Sequence, residues 1–256
     1  MHVLNLRVAT ALASLAIVGN AAAQVSIGAG ADFTTGKYGG SESTDTLYIP
    51  FIFKYETGPW VFKATVPYIR ISGPANVIGA GAERITLPGT DAERRTETGL
   101  GDIATSAFYN LLNENQSGIG LDVGVKLKVP TADEEKRLGT GELDYALQAD
   151  VIKPFGNFTA FGSLGYRFYG DPPGLELRDT HYYAIGASYR VAPGSTIGVA
   201  YDYRPRITTG GSEISEATLY WSRRMTREWR LQIYGVVGFS DGSPDAGVGA
   251  VLDYRF

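Results

Sequence analysis

The segment from Ile119 to Val129, IGLDVGVKLKV, alternates strictly between two kinds of residue. Its odd-numbered positions carry Ile, Leu or Val, and its even-numbered positions carry Gly, Asp or Lys. Successive side chains of a β-strand point to opposite faces, so this strand has one apolar wall and one charged wall. A strand with two such walls separates an apolar phase from a wet one, which indicates a transmembrane β-barrel.

The same alternation recurs along the chain, and helical periodicity is almost absent. Each repeat is roughly 10–13 residues long, which is enough for a tilted strand to cross a bilayer. About twelve such segments lie near residues 25–37, 44–56, 60–72, 98–111, 118–130, 142–153, 157–169, 179–191, 195–206, 213–224, 228–240 and 246–256. The pattern predicts an all-β fold, an antiparallel up-and-down transmembrane β-barrel of about twelve strands.

The connections between these segments alternate in length. Short turns such as Gly58-Pro59 and Pro193-Gly194 follow every second segment, whereas the other connections are mostly longer and more polar, for example Ala132 to Gly141. Outer-membrane barrels have short periplasmic turns and longer external loops, and an even strand count places both termini in the periplasm. A soluble β-sandwich, the alternative, does not explain charges in mid-strand together with alternating turn lengths.

The N-terminal region has the three parts of a secretory signal: a short basic start, the apolar run Val8 to Val18, and the small residues Ala21 to Ala23. The apolar run is short for a membrane anchor, which needs about 20 residues. We therefore expect residues 1–23 to be a signal peptide cleaved after Ala23, and residues 24–256 to form the barrel in the outer membrane of a Gram-negative bacterium. The formal net charge of -4 argues against a nucleic-acid partner.

If the charged wall faces inward, the lumen carries both signs of charge. These side chains either form structural cross-strand pairs or line a solute path, and we favour a narrow path. The lumen candidates are Asp32, Lys54, Lys63, Asp102, Asp122, Lys126, Lys128, Glu142, Asp144, Asp150, Arg167, Arg190, Asp202, Arg204, Glu216, Arg224, Arg230, Asp253 and Arg255.

The longest connection, Gly73 to Glu97, mixes apolar residues such as Ile85 with charged residues such as Glu83 and Arg84. Two interpretations stay open: the loop folds into the barrel mouth and constricts it, or it is a disordered external loop.

Enzymatic chemistry has little support in this sequence. Beyond the signal region, His181 is the one histidine, and Ser188 follows it at an odd spacing that places the two on opposite sides of a strand. The chain has no cysteine and no histidine cluster for a metal. We predict no catalytic residues, no metal and no cofactor, so the chain is expected not to be an enzyme.

Three motifs flank consecutive strands: GLGDI at Gly99 to Ile103, KVPTAD at Lys128 to Asp133, and LGTGELD at Leu138 to Asp144. Their order resembles the outer-membrane β-barrel family named for the MetA pathway of phenol degradation, most strongly over Gly99 to Asp150. The resemblance implies a transporter-like barrel linked to uptake of aromatic or other hydrophobic small molecules, and it supplies no catalytic residues.

The favoured function is therefore an outer-membrane channel or transporter for the uptake of small solutes, with aromatic or hydrophobic compounds as the candidates. The alternatives are a lipid-modifying enzyme of the outer membrane and a structural or adhesive barrel whose external loops bind a partner. The expected partners are outer-membrane lipid, a small-molecule solute and the barrel-assembly machinery. The oligomeric state stays open.

The last segment alternates through Val248, Ala250, Leu252, Tyr254 and Phe256 on its lipid face. An aromatic residue at that end resembles the signal by which the assembly machinery recognises barrels, and we predict this role for Phe256.

Overall fold

A computed structural model describes residues 23–74, 76–87 and 93–256. The expected signal peptide, residues 1–23, lies outside the described residues except for its last residue, so the cleavage site stays a prediction. Within the described part of the chain, no helix has the length and apolar character to cross a bilayer.

Twelve antiparallel strands form one closed barrel, which confirms the predicted fold class and strand number. The first strand pairs with the last and thereby closes the sheet. The barrel strands are β1 (Gln24–Gly36), β2 (Thr44–Thr57), β3 (Trp60–Gly73), β6 (Arg95–Leu100) with β7 (Ile103–Leu112), β8 (Gly120–Val129), β9 (Asp144–Phe155), β10 (Phe158–Phe168), β11 (Thr180–Ala192), β12 (Ser195–Arg204), β13 (Ile214–Arg224), β14 (Trp229–Gly238) and β15 (Ala246–Arg255).

The fourth barrel strand is broken. Both β6 and β7 pair with β3, so they are two halves of one strand interrupted at Gly101 and Asp102. The alternation over 98–111 predicts a continuous strand that starts three residues later than β6 does. Two short strands are not part of the barrel wall: β4 (Val77–Ile78) and β5 (Ile85–Thr86) form a small hairpin around a 3-10 turn, Gly81–Glu83. The helical turn α1 (Glu114–Ser117) connects β7 to β8.

The apolar wall faces outward, as the segment Ile119 to Val129 predicts. Asp122 and Lys128 of β8 are buried, whereas Val125 and Leu127 are exposed to the lipid side. Outward-facing aromatic pairs mark both ends of the barrel: the Trp229 and Tyr254 rings are 4.9 Å apart near the periplasmic end, and the Tyr145 and Phe168 rings are 4.5 Å apart near the external end. Such pairs suit the two interfacial girdles of a membrane barrel.

Phe256 follows β15 and remains attached to the wall. Its N–H donates to the carbonyl oxygen of Val25 over 3.0 Å, and its ring lies 4.9 Å from that of Tyr254. The side chain is 70% exposed on the lipid side. This geometry leaves the ring accessible, and its recognition by the assembly machinery stays a prediction.

Inside the barrel, large rings lie over glycines of the neighbouring strand. At each site the glycine is the direct cross-strand partner of the ring-bearing residue, and a Cβ on the glycine would collide with that ring. The pairs are Phe108 with Gly124, Phe161 with Gly186, Tyr182 with Gly165, Tyr220 with Gly198, and Tyr234 with Gly249. The glycines therefore let aromatic side chains lie against the inner wall instead of filling the lumen.

Replacing Gly198 by Ala is expected to destabilise the barrel by about 1–3 kcal/mol, because the new methyl group occupies the site of the Tyr220 ring. The displaced ring should also lower the single-channel conductance. Gly235→Ala is the matched control, since the nearest atom to its added Cβ is the Gly247 carbonyl oxygen at 3.7 Å. Denaturant unfolding in detergent measures both variants, and equal stability losses would contradict the role assigned to the Gly198 site.

Candidate functional site

Most charged residues that alternation assigns to the lumen lie on the inward face of the strands, which is the face that also carries the buried residues. Asp102 is an exception, because it occupies the break between β6 and β7. Glu142 is another: the predicted segment 142–153 begins two residues too early, since β9 begins at Asp144. Gly141, with a φ of 75°, ends the preceding loop there and turns the chain before the wall starts.

The carboxylate of Asp102 joins the break between β6 and β7 to the external loop that follows β8. Its Oδ1 accepts hydrogen bonds from the N–H groups of Thr131 and Ala132 at 3.1 and 3.0 Å. The Thr131 hydroxyl donates to the carbonyl oxygen of Gly101 at 3.1 Å. The motif at Gly99 to Ile103 and the motif at Lys128 to Asp133 are therefore joined by direct contacts.

Lys128 brings the third motif into the same cluster. Its Nζ lies 3.0 Å from the Asp144 carboxylate and 3.6 Å from that of Asp102, and it donates to the Thr140 hydroxyl over 2.6 Å. These side chains are almost completely buried. The three motifs thus form one buried charge network at the external end of the barrel.

Residues 76–87 of the long connection after β3 enter the barrel mouth. The Glu83 carboxylate accepts two hydrogen bonds from the Arg167 guanidinium of β10, at 2.7 and 3.2 Å. Arg84 forms an ion pair with Glu216 of β13, and its carbonyl oxygen accepts from Arg204 of β12 at 2.7 Å. A loop that leaves β3 is therefore attached to the opposite wall, so residues 76–87 fold inward and are not an external disordered segment.

The ion pair of Glu83 should make this attachment sensitive only to strong acid. Burial alone would raise the pKa of Glu83, but the charge and hydrogen bonds of Arg167, with smaller effects of Lys128 and Lys126, hold it below its usual value of 4.5. The attachment is therefore complete above that value and is lost only as the pH falls through the lowered pKa.

We expect no opening of the inserted loop, seen as a several-fold step in the single-channel conductance, between about pH 8 and about pH 5.5, and such a step only in more acidic solution. A titration of conductance in planar bilayers measures this. An opening transition near neutral pH would contradict the assignment.

Below the loop, an apolar girdle lines the lumen. Val61 of β3 and Phe108 of β7 are direct cross-strand partners on the inward face. They extend a cluster of buried residues that follows the wall from β9 round to β2: Ile152, Phe161, Ala200, Tyr220, Tyr234, Val251 and Ile52. Alternation predicts a polar inner wall, so the girdle was missed. The segment Tyr48 to Phe53, YIPFIF, carries the signal, because it is apolar on both faces.

The inserted loop and the girdle enclose a cavity of about 160 Å³. Its roof includes Ala80 and Glu83, and its lower wall includes Ile52, Val61 and Phe108. Lys63, Lys126 and Asp150 also line it. The cavity is therefore apolar on one side and charged on the other, on the path between the external mouth and the periplasm.

The pair of residues considered for catalysis is not brought together. His181 faces outward on β11 opposite Tyr166 of β10, whereas Ser188 is buried on the inward side. The wall of the barrel separates the two side chains, as their odd spacing predicts. The pair of His181 and Ser188 therefore does not support the alternative function, a lipid-modifying enzyme of the outer membrane.

Comparisons with known proteins agree with this architecture. The family model described as "Putative MetA-pathway of phenol degradation" matches residues 18–217. An outer-membrane channel from Pseudomonas putida F1 has a similar structure, with a TM-score of 0.67, 16% sequence identity, and coverage of 93% of this chain and 97% of that one. A KdgM porin in complex with disordered oligogalacturonate gives a TM-score of 0.52 at 11% identity, covering 90% of this chain and 99% of that one.

No curated protein matches the sequence. These two similar structures are an outer-membrane channel and a porin.

Proposed function

The chain belongs to the MetA-pathway phenol-degradation family of Gram-negative outer-membrane barrels, and from that membership and its lumen we propose that it is a passive uptake channel for small aromatic or hydrophobic solutes. The apolar girdle is the feature that supports this class of solute. A ring rich in Ile, Val, Phe and Tyr side chains offers a sugar or a small ion fewer hydrogen bonds than bulk water does, so it disfavours their passage relative to that of an apolar solute.

The girdle offers an aromatic solute favourable contacts. Removing apolar surface from water contributes about 25 cal/mol per Å², and a well-oriented pair of aromatic rings adds about 0.5–1.5 kcal/mol. Phe108 and Tyr234 both line the cavity above the girdle. At about 160 Å³ this cavity is close in size to an engineered protein cavity of about 150 Å³ that admits benzene.

The inward-facing charges serve this path in two ways. Those in the network of Lys128 and in the loop attachments hold the walls and the constriction in place. The others keep water in the vestibules above and below the girdle, so that a solute meets a wet path with one apolar step.

Ionic current through the purified protein in planar bilayers tests the proposal. L-Phenylalanine and L-threonine are both zwitterions, so they differ mainly in the aromatic ring. We expect phenylalanine to reduce the open-channel current in a saturable way and threonine to reduce it much less. Absence of any conductance, or equal reduction by the two amino acids, would overturn the proposed function.

A further inference from the structure

We infer that the solute is an aromatic carboxylate, with its ring in the girdle and its carboxylate on the ammonium group of Lys63. This inference rests on the proposed function and narrows its solute class. It follows from the place of Lys63 in the cavity, from the partners of the cavity's acidic residues and from the charges at the periplasmic end.

Lys63 lies on the inward face of β3, two residues from Val61 of the girdle. Its side chain is half-buried and lines the cavity. In the strand register it stands opposite Ser106 of β7 on one side and Lys54 of β2 on the other. Residues two apart on a strand share a face and are about 7 Å apart, so a ring against Val61 and a carboxylate at Lys63 fit one small molecule.

The carboxylates that line the cavity already have partners. Glu83 binds Arg167, and Asp102 and Asp144 both contact Lys128. Asp150 accepts a hydrogen bond from the side-chain amide of Gln148. Within residues 23–74, 76–87 and 93–256, none of these acids is within ion-pair distance of the Lys63 ammonium.

The neighbour of Lys63 across the sheet adds to its charge. Lys54 is directly opposite and is ion-paired with Glu56 at 2.7 Å. Like charges directly opposite each other destabilise a sheet. Asp253 is the acid whose charge favours the Lys63 ammonium, but its direct cross-strand partner is Arg230, so it serves two cations. A carboxylate bound at Lys63 would offset the excess of positive charge, whereas a neutral solute or a cation would not.

The periplasmic end of the same side of the barrel is also cationic. The strands from β13 round to β2 are neighbours, and they present four cations and two acids on their inward faces at this end. The cations are Arg224, Arg230, Arg255 and Lys54, and the acids are Asp253 and Glu56. A lumen lined by one sign of charge concentrates solutes of the opposite sign, so an anion that passes the girdle is drawn towards the periplasm.

Reversal potentials in planar bilayers test the inference, with a gradient of sodium phenylacetate and, separately, of sodium acetate. We expect anion selectivity in both salts and a several-fold larger preference over sodium for phenylacetate. Lys63→Gln should lose most of that preference, and Lys63→Arg should keep it. Lys153→Gln is the matched control, because Lys153 is exposed on the outer face of β9 beside Phe155. A heat-dependent band shift on a gel shows that each variant is folded.

Two results would overturn the inference while leaving the proposed function intact. One is a channel that phenylalanine blocks but that selects sodium over phenylacetate. The other is an equal phenylacetate preference in the wild type and in Lys63→Gln. Absence of conductance and of block by phenylalanine would instead reject the proposed function itself.

Discussion

Replacing Lys128 by Met is expected to destabilise the barrel by about 3–5 kcal/mol, the usual effect of removing one partner from a buried ion pair. The side chains of Lys128, Asp102 and Asp144 are almost fully buried, so the variant leaves two carboxylates without their cation. Met keeps the length and the packing of the lysine stem. The loss is measured by denaturant unfolding in detergent micelles.

The control for this variant is Lys136→Met in the same external loop. Lys136 pairs with Asp133 at 3.3 Å, but both side chains are about half exposed, so its loss should not change stability measurably. Adding Asp102→Asn and Asp144→Asn to Lys128→Met should recover part of the lost stability by removing the unpaired charges. A Lys128→Met barrel as stable as the wild type would show that the network does not hold the wall break.

Replacing Glu83 and Arg84 together by Gln is expected to raise the single-channel conductance several-fold. These two residues attach the inserted loop to Arg167 and Glu216 on the opposite wall. Without these ion pairs the loop can leave the mouth, and the narrowest part of the path then becomes the girdle.

The matched control removes one acid and one arginine at the outer end of the mouth. Arg94 lies 3.6 Å from Glu42, and both are exposed, so Glu42→Gln with Arg94→Gln should leave the conductance unchanged. An unchanged conductance in the Glu83 and Arg84 variant would mean that residues 76–87 do not restrict the path.

The barrel could be predicted because one face of each strand meets lipid and the other face meets the lumen. In Ile119 to Val129 the period-two pattern is complete, and the structure places its apolar residues on the lipid side as expected. Turn glycines could be predicted equally well, since Gly58, Gly156 and Gly194 all have positive φ in short periplasmic turns. These features depend on local residues alone.

The site depends on contacts that local patterns do not contain. Glu83 meets a partner 84 residues away, and nothing in the loop identifies Arg167 as that partner. The girdle was missed because an apolar inward residue such as Ile52 is surrounded in the sequence by apolar outward residues. The break at Gly101 and Asp102 was missed because the Asp102 side chain replaces strand pairing with bonds to a loop about 30 residues further on.

The family motifs have a structural explanation that their order alone does not reveal. GLGDI, KVPTAD and LGTGELD meet in the network of Asp102, Lys128 and Asp144. Leu138 of the third motif packs on Ile69 and Ile71 of β3 beside Ala80 of the inserted loop. We infer that the motifs position the constriction and do not bind the solute directly.

Solute passage, as distinct from entry, is measured most directly by the swelling of liposomes that contain the purified protein. L-Phenylalanine is larger than L-threonine, so a simple water-filled pore passes threonine faster. A channel in which every solute must cross the apolar girdle should instead pass phenylalanine faster than threonine. A threonine rate equal to or above the phenylalanine rate would contradict selection by the girdle.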